Sequence, residues 1–195
     1  MHSIYFIRHG QTAWNAEGRL QGSRDTALNA LGEAQAAAAA ERLRRLAGAE
    51  TAGADFVASP LQRTRRTMEI LRATLGLAPE GYRTDPRLRE IGFGDWEGST
   101  WAEIRRRDPV AAAARERGRW HYRPPGPGAE SYAALVERVA PVLSGLERPA
   151  VVVAHGGVAR AVLVALGHLD THAAPRLGVR QGEILLIERG GWRWA

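Results

Sequence analysis

The sequence contains the stretch Ala150-Val151-Val152-Val153-Ala154-His155-Gly156-Gly157, in which five apolar residues run without interruption into a histidine and two glycines. An apolar run of this length with no polar alternation predicts a β-strand that is buried on both faces. The glycines that follow are typical of a turn from a strand into a helix. Such a strand belongs near the centre of a mainly parallel sheet that has helices on both sides.

Short strand patterns alternate with longer helical patterns along the rest of the chain. Ile4–Ile7 and Asp55–Ala58 are predicted as strands, and a helix is predicted from its N-cap Asn29 to Leu46, where Gly48 ends it. Ser59-Pro60 is interpreted as the N-cap and first position of the next helix. This alternation predicts an α/β fold of three layers, α/β/α, with a mostly parallel central sheet.

The second half of the chain continues the pattern with less regular connections. Residues 81–98 and 121–128 are rich in Gly or Pro and are predicted to be irregular. The predicted helices and strands that remain are Thr100–Arg107, Pro109–Arg117, a helix from Ser131 that Pro141 kinks, Gly156–Leu166, Glu183–Glu188 and Trp192–Trp194. No internal repeat or domain boundary is evident, so a single domain over residues 1–195 is expected, with a small cap around residues 97–130.

Two residue types are missing from the 195 residues, and their absence excludes several kinds of chemistry. There is no cysteine, which excludes disulfides, thiolate metal sites and cysteine-dependent phosphatases. There is no lysine either, so all 27 basic side chains are arginine. Schiff-base enzymes and P-loop enzymes need an amine that arginine cannot supply, and both classes are excluded.

The formal net charge of +6 raises the question of a polyanionic partner. Arginines are densest in residues 103–119, but acidic residues are interleaved there, and the segment is interpreted as solvated helix surface rather than a nucleic-acid site. No apolar run approaches the roughly 20 residues that span a membrane, and no targeting signal precedes Ile4. A cytoplasmic protein with a small anionic substrate is therefore expected.

Three of the predicted strands end in polar residues of similar character. Arg8 and His9 follow the first strand, Arg63 follows Ser59-Pro60 after the second, and His155 follows the stretch 150–154. In an open parallel α/β sheet, ligands bind beyond the carboxyl ends of the strands. The two arginines and two histidines are therefore expected to surround one crevice.

Such a crevice suits a phosphoryl group. Arginine grips phosphate oxygens with a planar fork of donors, and neutral imidazole can attack phosphorus without first losing a proton. Arginine supplies the positive charge, so neither a metal nor a cofactor is expected. An acid is still needed for the leaving oxygen, and the segment 89–98 offers Glu90, Asp95 and Glu97 without a basis for choosing among them.

Several short motifs occur in an order that resembles the histidine phosphatase superfamily, in its phosphoglycerate-mutase-like branch. The resemblance covers nearly the whole chain and implies the fold of that family. It is carried by Arg8-His9-Gly10-Gln11-Thr12 with Asn15, Leu20-Gln21-Gly22, Ser59-Pro60-Leu61-Gln62-Arg63-Thr64, Leu88-Arg89-Glu90-Ile91 with Gly94-Asp95-Trp96-Glu97-Gly98, and Val153-Ala154-His155-Gly156-Gly157.

The resemblance implies specific roles for these residues. His9 would be the nucleophile that becomes phosphorylated, and Arg8, Arg63 and His155 would hold the phosphate. Glu90 would serve as general acid and then as base. Asn15, Gln21, Gly22 and Gly156 would line the phosphate or substrate site.

The short middle segment and the absence of lysine distinguish this chain from the longer cofactor-dependent mutases that it resembles. A metal-independent phosphatase for small phosphomonoesters, a phosphoric monoester hydrolase, is therefore the favoured function. A phosphoglycerate mutase and a non-catalytic phosphate-binding module are the alternatives. The expected partner is a small phosphorylated molecule, with no nucleic acid or membrane, and the protein is expected to be a monomer or homodimer.

Overall fold

The computed structural model, which describes residues 2–195, contains one six-stranded sheet. In chain order its strands are β1 (Ile4–Arg8), β2 (Asp55–Ala58), β3 (Arg83–Thr84), β4 (Ala150–Ala154), β5 (Ile184–Glu188) and β6 (Gly191–Trp194). Across the sheet their order is β3-β2-β4-β1-β5-β6. The first four strands of that order are parallel, and β5 and β6 pair antiparallel at one side.

Helices cover both faces of the sheet. The helices of residues 2–195 are α1 (Ala13–Ala16), α2 (Ala30–Ala47), α3 (Glu50–Gly53), α4 (Gln62–Thr74), α5 (Trp101–Arg107), α6 (Pro109–Arg117), α7 (Tyr132–Ser144) and α8 (Gly156–Ala165), of which α2, α4, α7 and α8 cover the sheet. The face covered by α2 and α4 shares one apolar core, and the face covered by α7 and α8 shares another. The predicted three-layer α/β/α fold with a mostly parallel sheet is therefore confirmed.

Successive side chains of β1 point to opposite faces of the sheet, so this strand contributes to both cores. Tyr5 and Ile7 pack with the α2 and α4 side, whereas Ile4 and Phe6 pack with the α7 and α8 side. All five residues of β4 are buried, as the uninterrupted apolar run predicts. Burying one large apolar side chain contributes about 1.5–3 kcal/mol, so the two cores together anchor the centre of the sheet.

Strand register places three loop starts at the same edge. Arg8 pairs with Ala154, and Ala58 pairs with Val153. The main chain continues this pairing one residue further, because the amide of His9 donates to the Ala154 carbonyl at 3.0 Å. The residues that follow β1, β2 and β4 consequently begin side by side at the carboxyl edge of the parallel strands.

The predicted start of α4 is wrong by two residues. The helix begins at Gln62 with Leu61 as its N-cap, not at Pro60. The Ser59 hydroxyl lies 2.8 Å from Nε2 of His155 and is therefore engaged across the sheet. The Asp25 carboxylate instead accepts a hydrogen bond from the Gln62 amide at the start of the helix.

The helices α5 and α6 have a small apolar cluster of their own. Its buried members are Trp96, Ile104 and Ala112, and it is separate from the two sheet cores. Thr100 caps α5 through a reciprocal pair of hydrogen bonds with Glu103, and Asp108 caps α6. Among residues 2–195, no helix combines the length and the apolar character that crossing a membrane requires.

Candidate active site

A cavity of about 460 Å³ lies at the carboxyl edge of the parallel strands. Eight of the nine predicted site residues line it, namely Arg8, His9, Asn15, Gln21, Gly22, Arg63, Glu90 and Gly156. The ninth, His155, packs edge-on against His9 with 5.2 Å between the ring centroids. Residues that are far apart in the sequence thus lie together in one site.

His9 is buried as a neutral imidazole of defined tautomer. Its Nδ1 lies 2.7 Å from the Gly10 carbonyl, which can only accept a hydrogen bond. Burial, reinforced by the charges of Arg63 and Arg8, holds the pKa of His9 well below its ordinary value of 6.5. At neutral pH the ring therefore carries its proton on Nδ1 and keeps a lone pair on Nε2.

His155 is the second buried imidazole. Its side chain is fully enclosed, and its Nε2 lies 2.8 Å from the hydroxyl of Ser59. Burial, followed by the charge of Arg63, holds the pKa of His155 well below 6.5. This ring is also neutral at pH 7.

Arg8 and Arg63 are held by main-chain carbonyls. Arg8 donates to the carbonyl of Val179 at 2.8 Å, and Arg63 donates to those of Gly22 and Arg24 at 3.0 and 2.6 Å. Burial lowers the pKa of Arg8 and lowers that of Arg63 to about 10. Both guanidinium groups therefore stay charged at neutral pH in surroundings that favour an incoming anion.

Three buried hydrogen-bonding atoms of this cluster have no partner. They are Nε of Arg8, Nε of Arg63 and Nδ1 of His155. Buried polar atoms are usually satisfied, and exceptions of this kind call for a physical explanation. Guanidinium donors beside neutral imidazoles are the partners that the oxygens of a phosphoryl group require.

The three carboxylates of the segment 89–98 have different surroundings. Only Glu90 lines the cavity, where its Oε1 accepts hydrogen bonds from the amides of Ile91 and Gly157 at 2.9 and 3.0 Å. Asp95 and Glu97 lie around a separate surface depression. Glu90 does not pair with the nearby Arg87, because Arg87 binds Asp85.

Asn15 is positioned by its own helix. It closes a capping box with Thr12 at the start of α1, and its Oδ1 also accepts from Nε2 of Gln181 at 3.1 Å. These contacts leave the NH2 group of Asn15 as its remaining hydrogen-bonding group. α1 has only four residues, too few to show a helical period in the sequence.

Arginines from the second half of the chain also line the cavity. Arg105, Arg115, Arg119 and Arg160 line the cavity, although the sequence pattern favoured a solvated surface for residues 103–119. That interpretation is wrong for Arg115, whose side chain is only 14% exposed and stacks over Trp101 at 4.0 Å. Tertiary packing of α6 on α5 buries this side, and a charge pattern alone does not reveal it.

Comparison with known proteins agrees with this geometry. The profile of the histidine phosphatase superfamily (branch 1) matches residues 4–195. The solved structure of a mycobacterial glucosyl-3-phosphoglycerate phosphatase with VO3 superposes with a TM-score of 0.80 at 33% identity, covering 100% of this chain and 98% of that one.

Two curated relatives carry different names. A metal-independent phosphoserine phosphatase from Arabidopsis thaliana is 35% identical over 82% of this chain and 66% of its own length. A probable phosphoglycerate mutase from Yersinia enterocolitica is 32% identical over 96% of this chain and 85% of its own.

This chain belongs to the histidine phosphatase superfamily. It is a phosphomonoesterase of the histidine-phosphatase type.

The buried neutral histidines predict a pH dependence of folding stability. Because the pKa of His9 is depressed in the folded state, the unfolded chain binds more protons below about pH 6.5. The contribution of neutral His9 to the free energy of unfolding should be complete above that pH. It should fall as the pH drops, by up to about 1.4 kcal/mol per pH unit for one such histidine. The free energy of unfolding, measured with urea at pH 7.5 and 5.5, should decrease less for His9→Asn than for wild type. An equal decrease in both proteins would contradict a neutral His9.

Proposed function

We propose that the protein hydrolyses phosphomonoesters through a phosphohistidine formed on Nε2 of His9. The observation that carries this proposal is a neutral His9 with its lone pair on Nε2, beside unpaired buried nitrogens of Arg8, Arg63 and His155. The lone pair forms the N–P bond as the P–O ester bond breaks. Water then attacks phosphorus, the N–P bond breaks, and its electron pair returns to His9 as phosphate leaves.

Arg8 and Arg63 stabilise the negative charge of the phosphoryl oxygens in both steps. The full burial of Arg63 and the partial burial of Arg8 strengthen this interaction, because charges attract more strongly where water is excluded. If the Ser59 hydroxyl donates to Nε2 of His155, then Nδ1 of His155 carries the proton and donates to a phosphoryl oxygen. The NH2 of Asn15, together with Gln21, Gly22 and Gly156, lines the remaining phosphate site.

Glu90 is the proton donor and then the base. In its protonated form it gives a proton to the leaving oxygen, and as carboxylate it takes one from the attacking water. The amides of Ile91 and Gly157 orient the side chain. A Cβ on Gly157 would lie 2.3 Å from the Glu90 carboxylate, so glycine at this position makes room for the acid.

Metal-free turnover tests the nucleophile. Wild-type protein should release phosphate from p-nitrophenyl phosphate in excess EDTA, because arginines supply the charge that a metal would otherwise provide. His9→Ala should lower kcat by about 1,000-fold or more, since the covalent route is lost. The exposed His121→Ala is the matched control and should keep wild-type kcat. A fully active His9→Ala would remove His9 from this role.

The acid role of Glu90 predicts a dependence on the leaving group. Nitrophenolate leaves without a proton, whereas the alkoxide of glycerol 3-phosphate needs one. Glu90→Gln should therefore lower the phosphorylation rate, measured in single turnovers, about 100-fold or more for glycerol 3-phosphate. The defect with p-nitrophenyl phosphate should be smaller, and equal losses on both substrates would contradict the assignment.

We further propose that the substrate carries a second acidic group, such as a carboxylate. Four arginines from the second half of the chain, Arg105, Arg115, Arg119 and Arg160, line the cavity, and besides Glu90 its lining holds one carboxylate, Glu116. Glu116 pairs with both Arg115 and Arg119. Burial lowers the pKa of Arg115, and the charges of Arg119 and Arg160 act in the same direction. A ligand anion would offset this concentration of positive charge. The names of the relatives also include phosphoglycerate and phosphoserine, and both of these compounds carry a carboxylate.

A matched pair of substrates tests the second acidic group. 3-Phosphoglycerate and glycerol 3-phosphate differ by a carboxylate in place of a hydroxymethyl group, so wild type should favour the former in kcat/KM by about tenfold or more. Arg115→Gln should remove most of this preference with little change for glycerol 3-phosphate. Arg117→Gln, at an exposed position of the same helix, should keep the preference. Equal kcat/KM values in wild type would contradict the proposal.

The reaction with 3-phosphoglycerate also distinguishes a hydrolase from the mutase alternative. Hydrolysis of 3-phosphoglycerate yields inorganic phosphate, whereas a mutase yields an isomeric phosphoglycerate without phosphate release.

We also propose that the chain forms one domain, with residues 97–130 as its cap. We propose that it acts in the cytoplasm as a monomer or homodimer, without nucleic acid, membrane or cofactor.

A further inference from the structure

Glu97 is a buried carboxylate that the proposed reaction does not use. Its side chain is only 7% exposed, yet it does not line the cavity. It contacts two chain segments that lead to the site, the loop of residues 21–25 and the segment that follows Glu90. We call residues 21–25 the clamp loop.

The contacts of Glu97 with the clamp loop are numerous. Its Oε1 accepts from the amide and hydroxyl of Ser23 at 3.0 and 3.2 Å, and its Oε2 accepts from the same hydroxyl at 3.1 Å. Oε2 also lies 3.5 Å from Nε of Arg24. The carboxylate thus holds two consecutive residues of the loop.

Gly22 makes this approach possible. Its φ of +51° suits glycine, and a Cβ there would lie 1.9 Å from Oε1 of Glu97. The loop and the carboxylate are therefore in close contact, and neither can be displaced without moving the other.

The opposite side of the clamp loop holds Arg63. The carbonyls of Gly22 and Arg24, on either side of Ser23, accept from the two terminal nitrogens of Arg63. Asp25 in the same loop accepts from the amide of Gln62 at 2.6 Å, which attaches the loop to the start of α4. The orientation of the Arg63 fork depends on where these two carbonyls lie.

We propose that Glu97 is a positioning residue, which holds the clamp loop so that the Gly22 and Arg24 carbonyls orient Arg63 toward the phosphoryl group. The proposal rests on the phosphate-binding role proposed for Arg63. Glu97 also accepts from the Phe93 amide at 3.2 Å, so it joins the clamp loop to the segment that carries Glu90. The contacts of Glu90 with Ile91 and Gly157 do not involve Glu97.

The test is the affinity for inorganic phosphate, measured by calorimetry in wild type and in Glu97→Gln. The amide cannot replace both carboxylate oxygens, so the clamp loop loosens and the Kd should rise about tenfold. The ratio of rates for p-nitrophenyl phosphate and glycerol 3-phosphate should stay at the wild-type value, because Glu90 keeps its contacts. Asp55→Asn is the control. It removes the ion pair with Arg83 at the first residue of β2, the end of the strand away from the site, and should leave the Kd unchanged.

A double-mutant cycle separates positioning from general stabilisation. If Glu97 acts through Arg63, then adding Glu97→Gln to Arg63→Gln should weaken phosphate binding by less than twofold beyond Arg63→Gln alone. A tenfold effect in both backgrounds would overturn the proposal. A folded Glu97→Gln with wild-type affinity would overturn it as well.

Three further outcomes are distinguishable. If Glu97→Gln does not fold, Ser23→Ala, which removes only the hydroxyl contacts, takes its place and should raise the Kd two- to fivefold, whereas wild-type affinity would overturn the proposal. If wild type binds phosphate but hydrolyses no ester, the proposed hydrolysis fails while the affinities still test Glu97. A wild type that does not bind phosphate would overturn both.

Discussion

Arg63 is fully buried and Arg8 is partly buried at the carboxyl edge of the sheet, and each is held by main-chain carbonyls rather than by a carboxylate. A carbonyl orients a guanidinium group without cancelling its charge, so the positive field remains directed at the site. Burial, reinforced by this field, holds the pKa of both neighbouring histidines well below the ordinary value and keeps them neutral. A carboxylate in the same position would favour the imidazolium form, which has no lone pair for attack.

The carbonyls that hold the arginines belong to loops, so the site depends on chain segments outside the sheet. Val179 lies just before β5, and Gly22 and Arg24 lie in the clamp loop after α1. The sheet brings Arg8 and His155 together through the pairing of β1 with β4, but it does not orient the guanidinium groups. Strand register and loop position therefore contribute separately to the same site.

The sequence predicted the parts of this arrangement that depend on local pattern. The apolar run 150–154 and the polar residues after three strands were sufficient to predict that His9, Arg63 and His155 lie at one edge of the sheet. Two-residue β3 and four-residue α1 lie below the length at which a period is visible. The choice among Glu90, Asp95 and Glu97 could not come from spacing, since it depends on which carboxylate faces the amide of Gly157.

Arg115 shows a different limit. Its helix carries alternating charges that are typical of a solvated surface, and only the packing against Trp101 reveals that this side chain turns inward. Ser59 illustrates the same point, because its sequence context suits a helix cap while its hydroxyl is engaged by a histidine 96 residues away.

The separate apolar cluster beneath α5 and α6 has a consequence for how this protein can change over time. Trp96, Ile104 and Ala112 do not belong to either sheet core, although Phe93 packs against both this cluster and the core on the α7 and α8 side, so substitutions within these two helices act mainly on this cluster. Arg105 and Arg115, which line the cavity from α5 and α6, are carried by this module, whereas His9, Arg8 and His155 lie at the ends of sheet strands. In the proposed mechanism, substrate preference can therefore diverge among descendants of this chain while the groups proposed to perform the chemistry keep their positions.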